Sequence, residues 1–176
     1  HTLGTDMDYG PNYETFVSTE LLNICRRIFP ITEDPAKTWI GGIGTGGYGA
    51  IKTALDHPDV FTRALSIDGT LDLGVIIAKA KAGEDTGIGL QEAQLEAIFG
   101  DLTKFPGGVN DLYALAEKPA QGKFLFVCEE NNARKDESKA VAQKLGAAAT
   151  IETLPAGADC FSQQKSLPLA VRWACE

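Results

Sequence analysis

The residues of this chain whose types and spacing suggest chemistry lie in one glycine-rich run, Gly42-Ile43-Gly44-Thr45-Gly46-Gly47. Two patterns fit it. As G-x-G-x-x-G, the spacing Gly42-x-Gly44-x-x-Gly47 matches a dinucleotide-binding turn, and Asp68 sits about where the ribose-binding acid belongs, roughly 20 residues on. As G-x-S-x-G, Gly42 and Gly46 hold the flanking positions of a strained strand-to-helix turn that pushes a nucleophile above a sheet. In that frame Gly44 stands where the serine belongs. The hydroxyl of Thr45 is the nearest substitute, but this turn aims the side chain of residue 44, not of Thr45, outward. The only histidines are His1 and His57, and His57 belongs to the far end of the helix after the glycines, a solvated position. Asp68 is a candidate acid displaced to a neighbouring strand. Neither histidine has a partner at metal-ligand spacing, so no metal and no cofactor are expected. Cys25, Cys128, Cys160 and Cys175 form no C-x-x-C pair. Cys25 and Cys128 lie in apolar runs and read as buried free thiols, which points to a reducing, cytoplasmic setting.

The elements that must position these residues follow from periodicity. Val17, Leu21, Ile24 and Ile28 recur at helical spacing between Asn12, a capping residue, and Pro30, which stops the helix. Thr38–Ile43 reads as a short apolar strand running into the glycines, and Gly46–Leu55 as a helix ended by Asp56-His57-Pro58. Ala64–Asp68 is a second strand. The stretch from Gly69 to Gly122 reads as irregular apart from short helices at Leu95–Phe99 and Leu112–Ala116. Lys123–Cys128, continuously apolar, is a strand buried on both faces. A helix over Glu137–Leu145 ends at Gly146, Thr150–Leu154 is a fourth strand, and Ser162–Ala174 is a last helix. Strands alternating with helices imply an α/β fold with a parallel sheet covered on both faces.

The bulk numbers agree. A length of 176 residues is one domain's worth, and 44% hydrophobic with 23% charged residues is globular composition. A net charge of −8 argues against nucleic acid, which needs clustered Lys and Arg. The basic pairs Arg26-Arg27 and Arg134-Lys135 read as solvated surface. No apolar run nears the roughly 18–20 residues of a membrane helix.

Several further segments accompany the glycine run: Asp6-Met7, Asn12-Tyr13-Glu14-Thr15-Phe16, Trp39 to Ala50 with its Tyr48-Gly49-Ala50 continuation, Pro58-Asp59-Val60-Phe61, Ile98-Phe99-Gly100, Asp111 to Leu115, the strand ending at Cys128, and Pro155 to Asp159. Together they resemble the tributyrin esterase and esterase D group of α/β-hydrolases, which includes S-formylglutathione hydrolases and feruloyl esterases. The resemblance covers nearly the whole chain. It implies an α/β-hydrolase fold, a three-layer arrangement of a mostly parallel sheet with helices on both faces. It further implies a single domain over residues 1–176, lacking the family's N-terminal strands and oxyanion-hole segment. The chain begins at His1 rather than Met, and a fragment, a processed product or an incomplete record is expected.

The resemblance also implies where the Ser-Asp-His triad would fall. The serine maps to Gly44. The acid, from a C-G-x-x-D pattern, maps to Asn132 in a slightly shorter loop after Cys128. The base, from G-x-H-[DE]-W, maps to Ala158, with Asp159 matching the acidic residue beside it. The backbone N–H of Thr45 is the oxyanion-type donor. A non-catalytic pseudo-esterase with a binding or assembly role is therefore expected. The alternatives are an active carboxylesterase and a nucleotide-binding domain using Gly42–Gly47. The partners implied are a small acyl ester or related ligand in the residual cleft, and self-association or pairing with an N-terminal segment, without nucleic acid or membrane.

Overall fold

A computed structural model describes residues 2–156 and 162–175. Four parallel strands form one sheet in the order β1-β2-β3-β4: Trp39–Ile43 (β1), Arg63–Ile67 (β2), Lys123–Glu129 (β3) and Ala149–Leu154 (β4). The alternating side chains of β2 and β3 feed two cores, as the two-residue period of a strand requires. Ala64, Phe124 and Phe126 enter a large core with Tyr48 and Ile51 of α3 (Thr45–Asp56) and with Ile76, Leu95, Leu112 and Val141 of the later helices. Leu65, Ile67, Leu125 and Val127 face the other way, onto Ala170 of α8 (Ser162–Cys175). The last helix is fastened by Arg63, whose guanidinium donates to the Trp173 carbonyl at 2.6 Å and lies over its ring.

The helices are Tyr13–Thr15 (α1), Leu21–Ile28 (α2), α3, Leu73–Lys81 (α4), Glu92–Phe99 (α5), Leu112–Leu115 (α6), Lys135–Leu145 (α7) and α8. Several sequence expectations need correction. The N-terminal helix is not uniform, because Phe16–Glu20 adopts a π turn between α1 and α2, and Asn12 makes no side-chain cap bond. Residues 73–81 are not irregular: Asp72 caps α4 by accepting from the Val75 N–H at 3.0 Å. Cys25 is only half-buried, whereas Cys128 is buried.

One face of the N-terminal helix has no cover among the described residues. Ile24 is 48% exposed and Ile28 66%, although their spacing marks an apolar stripe. They continue into exposed Phe29 and Ile31 and, on β1, Trp39 and Ile43. β1 pairs only with β2, so its other edge carries unpaired backbone groups among the described residues. By register, Ile43 lies on the same face as Ile67, beyond the reach of α8's packing.

Inside the large core a charged cluster ties α1 to α3. Lys52 Nζ donates to Glu14 Oε2 in a very short contact and to Asp56 Oδ2 at 2.8 Å, and both Lys52 and Glu14 are buried. His57 Nε2 stands 3.5 Å from Glu14 Oε1, so His57 is part of this cluster rather than simply solvated. Burial of Glu14 raises its pKa, and Lys52 only partly pulls it back.

Candidate functional site at the carboxyl ends of the strands

Gly44 joins β1 to α3 with φ 57° and ψ −121°, a backbone conformation open to glycine and strained for other residues. Its N–H donates to the Ile67 carbonyl at 3.0 Å, and its own carbonyl accepts from Gly47 and Thr70, each at 3.0 Å. The turn is tight because Gly42 lets the first turn of α3 pass over it: a Cβ on Gly42 would lie 2.0 Å from the Gly46 carbonyl oxygen. On Gly44 the situation reverses, with no atom of the described residues within 4 Å of a Cβ. Among the described residues, nothing crowds a side chain at position 44. Thr45 opens α3, so its N–H is among the unpaired donors of a helix start.

Asp68 follows β2 on the neighbouring strand, half-buried and with φ 48°. Its N–H donates to the Val127 carbonyl at 2.9 Å. Its Oδ1 accepts from the Glu129 N–H at 3.1 Å and from Asn132 Nδ2 at 2.7 Å. One of the two carboxylate oxygens is thus engaged by Glu129 and Asn132.

Asn132 lies in the loop after β3, the third strand in the row. Its Oδ1 accepts from the Arg134 N–H at 2.7 Å, so both ends of the amide are spoken for. The Arg134-Lys135 pair is not simply solvated: Arg134 Nη2 reaches the Thr86 carbonyl at 3.4 Å, and Lys135 Nζ donates to the Glu130 carbonyl at 2.6 Å. From α7, Glu137 Oε2 accepts from the N–H groups of Leu71 and Asp72 at 2.7 and 2.9 Å. The loop after β2 is thereby held from three sides, by Gly44, by Asn132 and by Glu137.

The structure brings Gly44, Thr45, Asp68 and Asn132 to adjacent strand ends, where ligands of open α/β sheets bind. Ala158 and Asp159, like His1 and Cys160, lie outside the described residues. His57 is at the wrong end of α3, roughly 20 Å from Gly44 by helix rise. Cys128 is 2% exposed, and burial pushes its thiol up, with the Ser138 hydroxyl opposing and the Asp68 charge adding to the rise. It stays a protonated thiol at neutral pH and is no nucleophile. A concavity of 620 Å³ lies elsewhere, between the end of α4 and the start of α5, and its wall includes Thr86, whose carbonyl Arg134 reaches. Its wall holds Glu84, Asp85 and Glu92 but neither Gly44 nor Asp68, so the hydrogen-bonded strand ends are the better candidate.

The sequence patterns did not disclose the Asp68–Asn132 bond, the Glu137 clamp or the Glu14–Lys52 cluster. Only the i,i+4 pairing of Lys52 with Asp56 was readable in advance.

No helix among the described residues is long and apolar enough to cross a membrane, and no group of three or more His, Cys, Asp or Glu among them is placed to hold a metal ion.

The fold defines the class: this is an α/β-hydrolase fold. The fluorophosphonate-binding serine hydrolase F of Staphylococcus aureus superposes with a TM-score of 0.81 at 22% identity, over 100% of this chain and 68% of that one. An S-formylglutathione hydrolase from Agrobacterium tumefaciens superposes with a TM-score of 0.72 at 18% identity, over 98% and 62%. Within that class the chain belongs to the Putative esterase family, whose profile matches residues 2–172. An acetyl esterase of Caldicellulosiruptor saccharolyticus is 31% identical over 108 residues, 61% of this chain and 40% of that protein. The chain therefore spans less than half the length of this relative.

Proposed function

We propose that this chain is a non-hydrolytic member of its esterase family, a pseudo-esterase that uses the strand ends for binding or assembly. The observation that carries the reading is Gly44 at φ 57°, with no atom of the described residues within 4 Å of a Cβ there. This is the geometry of a nucleophile elbow without an oxygen to attack. Acyl transfer by this route needs a nucleophile, a base within hydrogen-bond reach and a group to orient the base. Thr45 supplies a backbone donor, Cys128 is buried and protonated, and His57 is a helix-length away. In this reading Asn132 and Ala158 replace the acid and the base.

The test is active-site labelling. The chain should take no label from a fluorophosphonate probe and release no burst from p-nitrophenyl butyrate. The competing reading, hydrolysis of short-chain acyl esters, draws on the family and on the acetyl esterase relative. Stoichiometric labelling at any residue with turnover would establish it and end the pseudo-esterase reading.

A further inference from the structure

Gly44 and Asp68 follow two adjacent strands and Asn132 lies in the loop after the third, whose last residue, Glu129, is a second carboxylate with one oxygen buried. Asp68 adopts φ 48°, a region that Asp and Asn tolerate better than other side chains and that concentrates at functional sites. Its Oδ1 is fixed by two donors from β3 and its loop. Its Oδ2 makes no hydrogen bond among the described residues, and it is not a sealed-off atom. No Lys, Arg or His nitrogen among them comes within 4.0 Å of the carboxylate. Beside it, no atom of the described residues comes within 4 Å of a Cβ placed on Gly44.

Asn132 explains why the carboxylate sits here. Its amide points an N–H at Asp68 because its carbonyl end is taken by the Arg134 N–H. A carboxylate at 132 would have no proton to offer and would confront Asp68 as a like charge. One acid fits in this pair, and it is on β2.

We propose that Asp68 is the recognition residue of this site and binds a small organic cation bearing an N–H, an imidazolium or a primary ammonium, through Oδ2, with Asn132 as the positioning residue that aims it. A rigid carboxylate with one oxygen free gives such a group a charge-assisted hydrogen bond without paying to order the acceptor. The inference rests on the non-hydrolytic reading, since it leaves the space above residue 44 for a ligand.

The test is an NMR titration of the ¹⁵N-labelled chain with imidazole at pH 6 and with n-butylammonium, and with butyrate as the anionic control. Both cations should give saturable shifts at the Asn132 side-chain amide and the Gly44 and Thr70 amides, and butyrate should give none. Asp68→Asn should weaken cation binding roughly 10-fold or more, the scale of one hydrogen bond to a charged group. Should that variant not fold, Asp68→Gly, which suits the positive φ, should show the same loss. Absence of saturable shifts at these amides, or equal affinity in a folded Asp68 variant, overturns the proposal. Fluorophosphonate labelling would overturn the non-hydrolytic reading while leaving this titration to decide the role of Asp68.

Discussion

Asn132 donates its side-chain N–H to Asp68 Oδ1 at 2.7 Å, joining the loop after β3 to the end of β2. The bond has a direction, and the direction makes a swap experiment informative. Asn132→Asp should destabilise the fold by about 1–3 kcal/mol, because it exchanges a donor for a like charge. The double variant Asp68→Asn/Asn132→Asp restores one donor and one carboxylate and should recover a good part of that loss. Urea unfolding of the four proteins reads the coupling, expected between about 0.5 and 3 kcal/mol. Additive losses would mean that the pair does not interact in solution.

The glycines of the turn should separate by mechanism. Gly42→Ala drives a Cβ to within 2.0 Å of a backbone oxygen that cannot step aside, so a loss of about 3 kcal/mol or failure to fold is expected. Gly46→Ala meets nothing within 4 Å inside a helix and should be neutral or stabilising by up to ~1 kcal/mol. Gly44→Ser has room but keeps the positive φ, at a cost of about 1–3 kcal/mol. It should fold and still take no fluorophosphonate, because no base stands beside the new hydroxyl. Adding Ala158→His is the step expected to bring labelling back. Labelling of Gly44→Ser alone would reveal a base that these residues do not supply.

The Glu14–Lys52 contact should dominate the docking of the N-terminal helix. Lys52→Met leaves Glu14 buried without its cation and should cost about 3–5 kcal/mol, whereas Lys52→Met with Glu14→Leu should cost much less. The pH dependence has a definite sign. Burial raises the folded pKa of Glu14 above its ordinary 4.5, so its contribution is fully present below that value and is lost as pH rises through the folded pKa. Relative to Glu14→Gln, the parent chain should therefore gain stability on acidification through this window. A difference that moves the other way in thermal melts would contradict the assignment.

The uncovered apolar stripe of Ile24, Ile28 and Phe29, with Trp39 and Ile43 on the open edge of β1, should make the isolated chain associate or accept a complementary strand-bearing segment. Sedimentation at micromolar concentrations should show concentration-dependent mass, reduced by Ile43→Lys. A monodisperse monomer with Trp39 freely quenched by iodide would count against an interface here.

The sequence made some of this legible and hid the rest for physical reasons. All four strands announce themselves, because β3 is a continuous apolar run and β1 runs into glycines that only a tight turn would use. The last helix and the Gly146 cap, at φ 58°, were equally readable. Helix α4 escaped because Leu73–Ala78 is apolar on every side, so no stripe marks a period; the signal that was present is Asp72, a capping residue in front of it. The spacing of Leu21, Ile24 and Ile28 correctly places them on one face, but periodicity cannot say what covers a face, and here it is exposed. The Asp68–Asn132 bond joins residues 64 apart and depends on the pairing of Ile67 with Val127, a register that no local pattern encodes.

Strand order and chain order coincide in this sheet: each strand lies beside the one made just before it. On the ribosome, β2 can therefore add to β1, β3 to β2 and β4 to β3 as each emerges, without waiting for a distant partner. Growth is always at the same side. Among the described residues, the flank of β1 that bears Trp39 and Ile43 has no strand beside it even with β4 in place. Whichever polypeptide reaches that flank first, an upstream stretch or a sibling copy, extends the same ladder by one rung and closes it to the other.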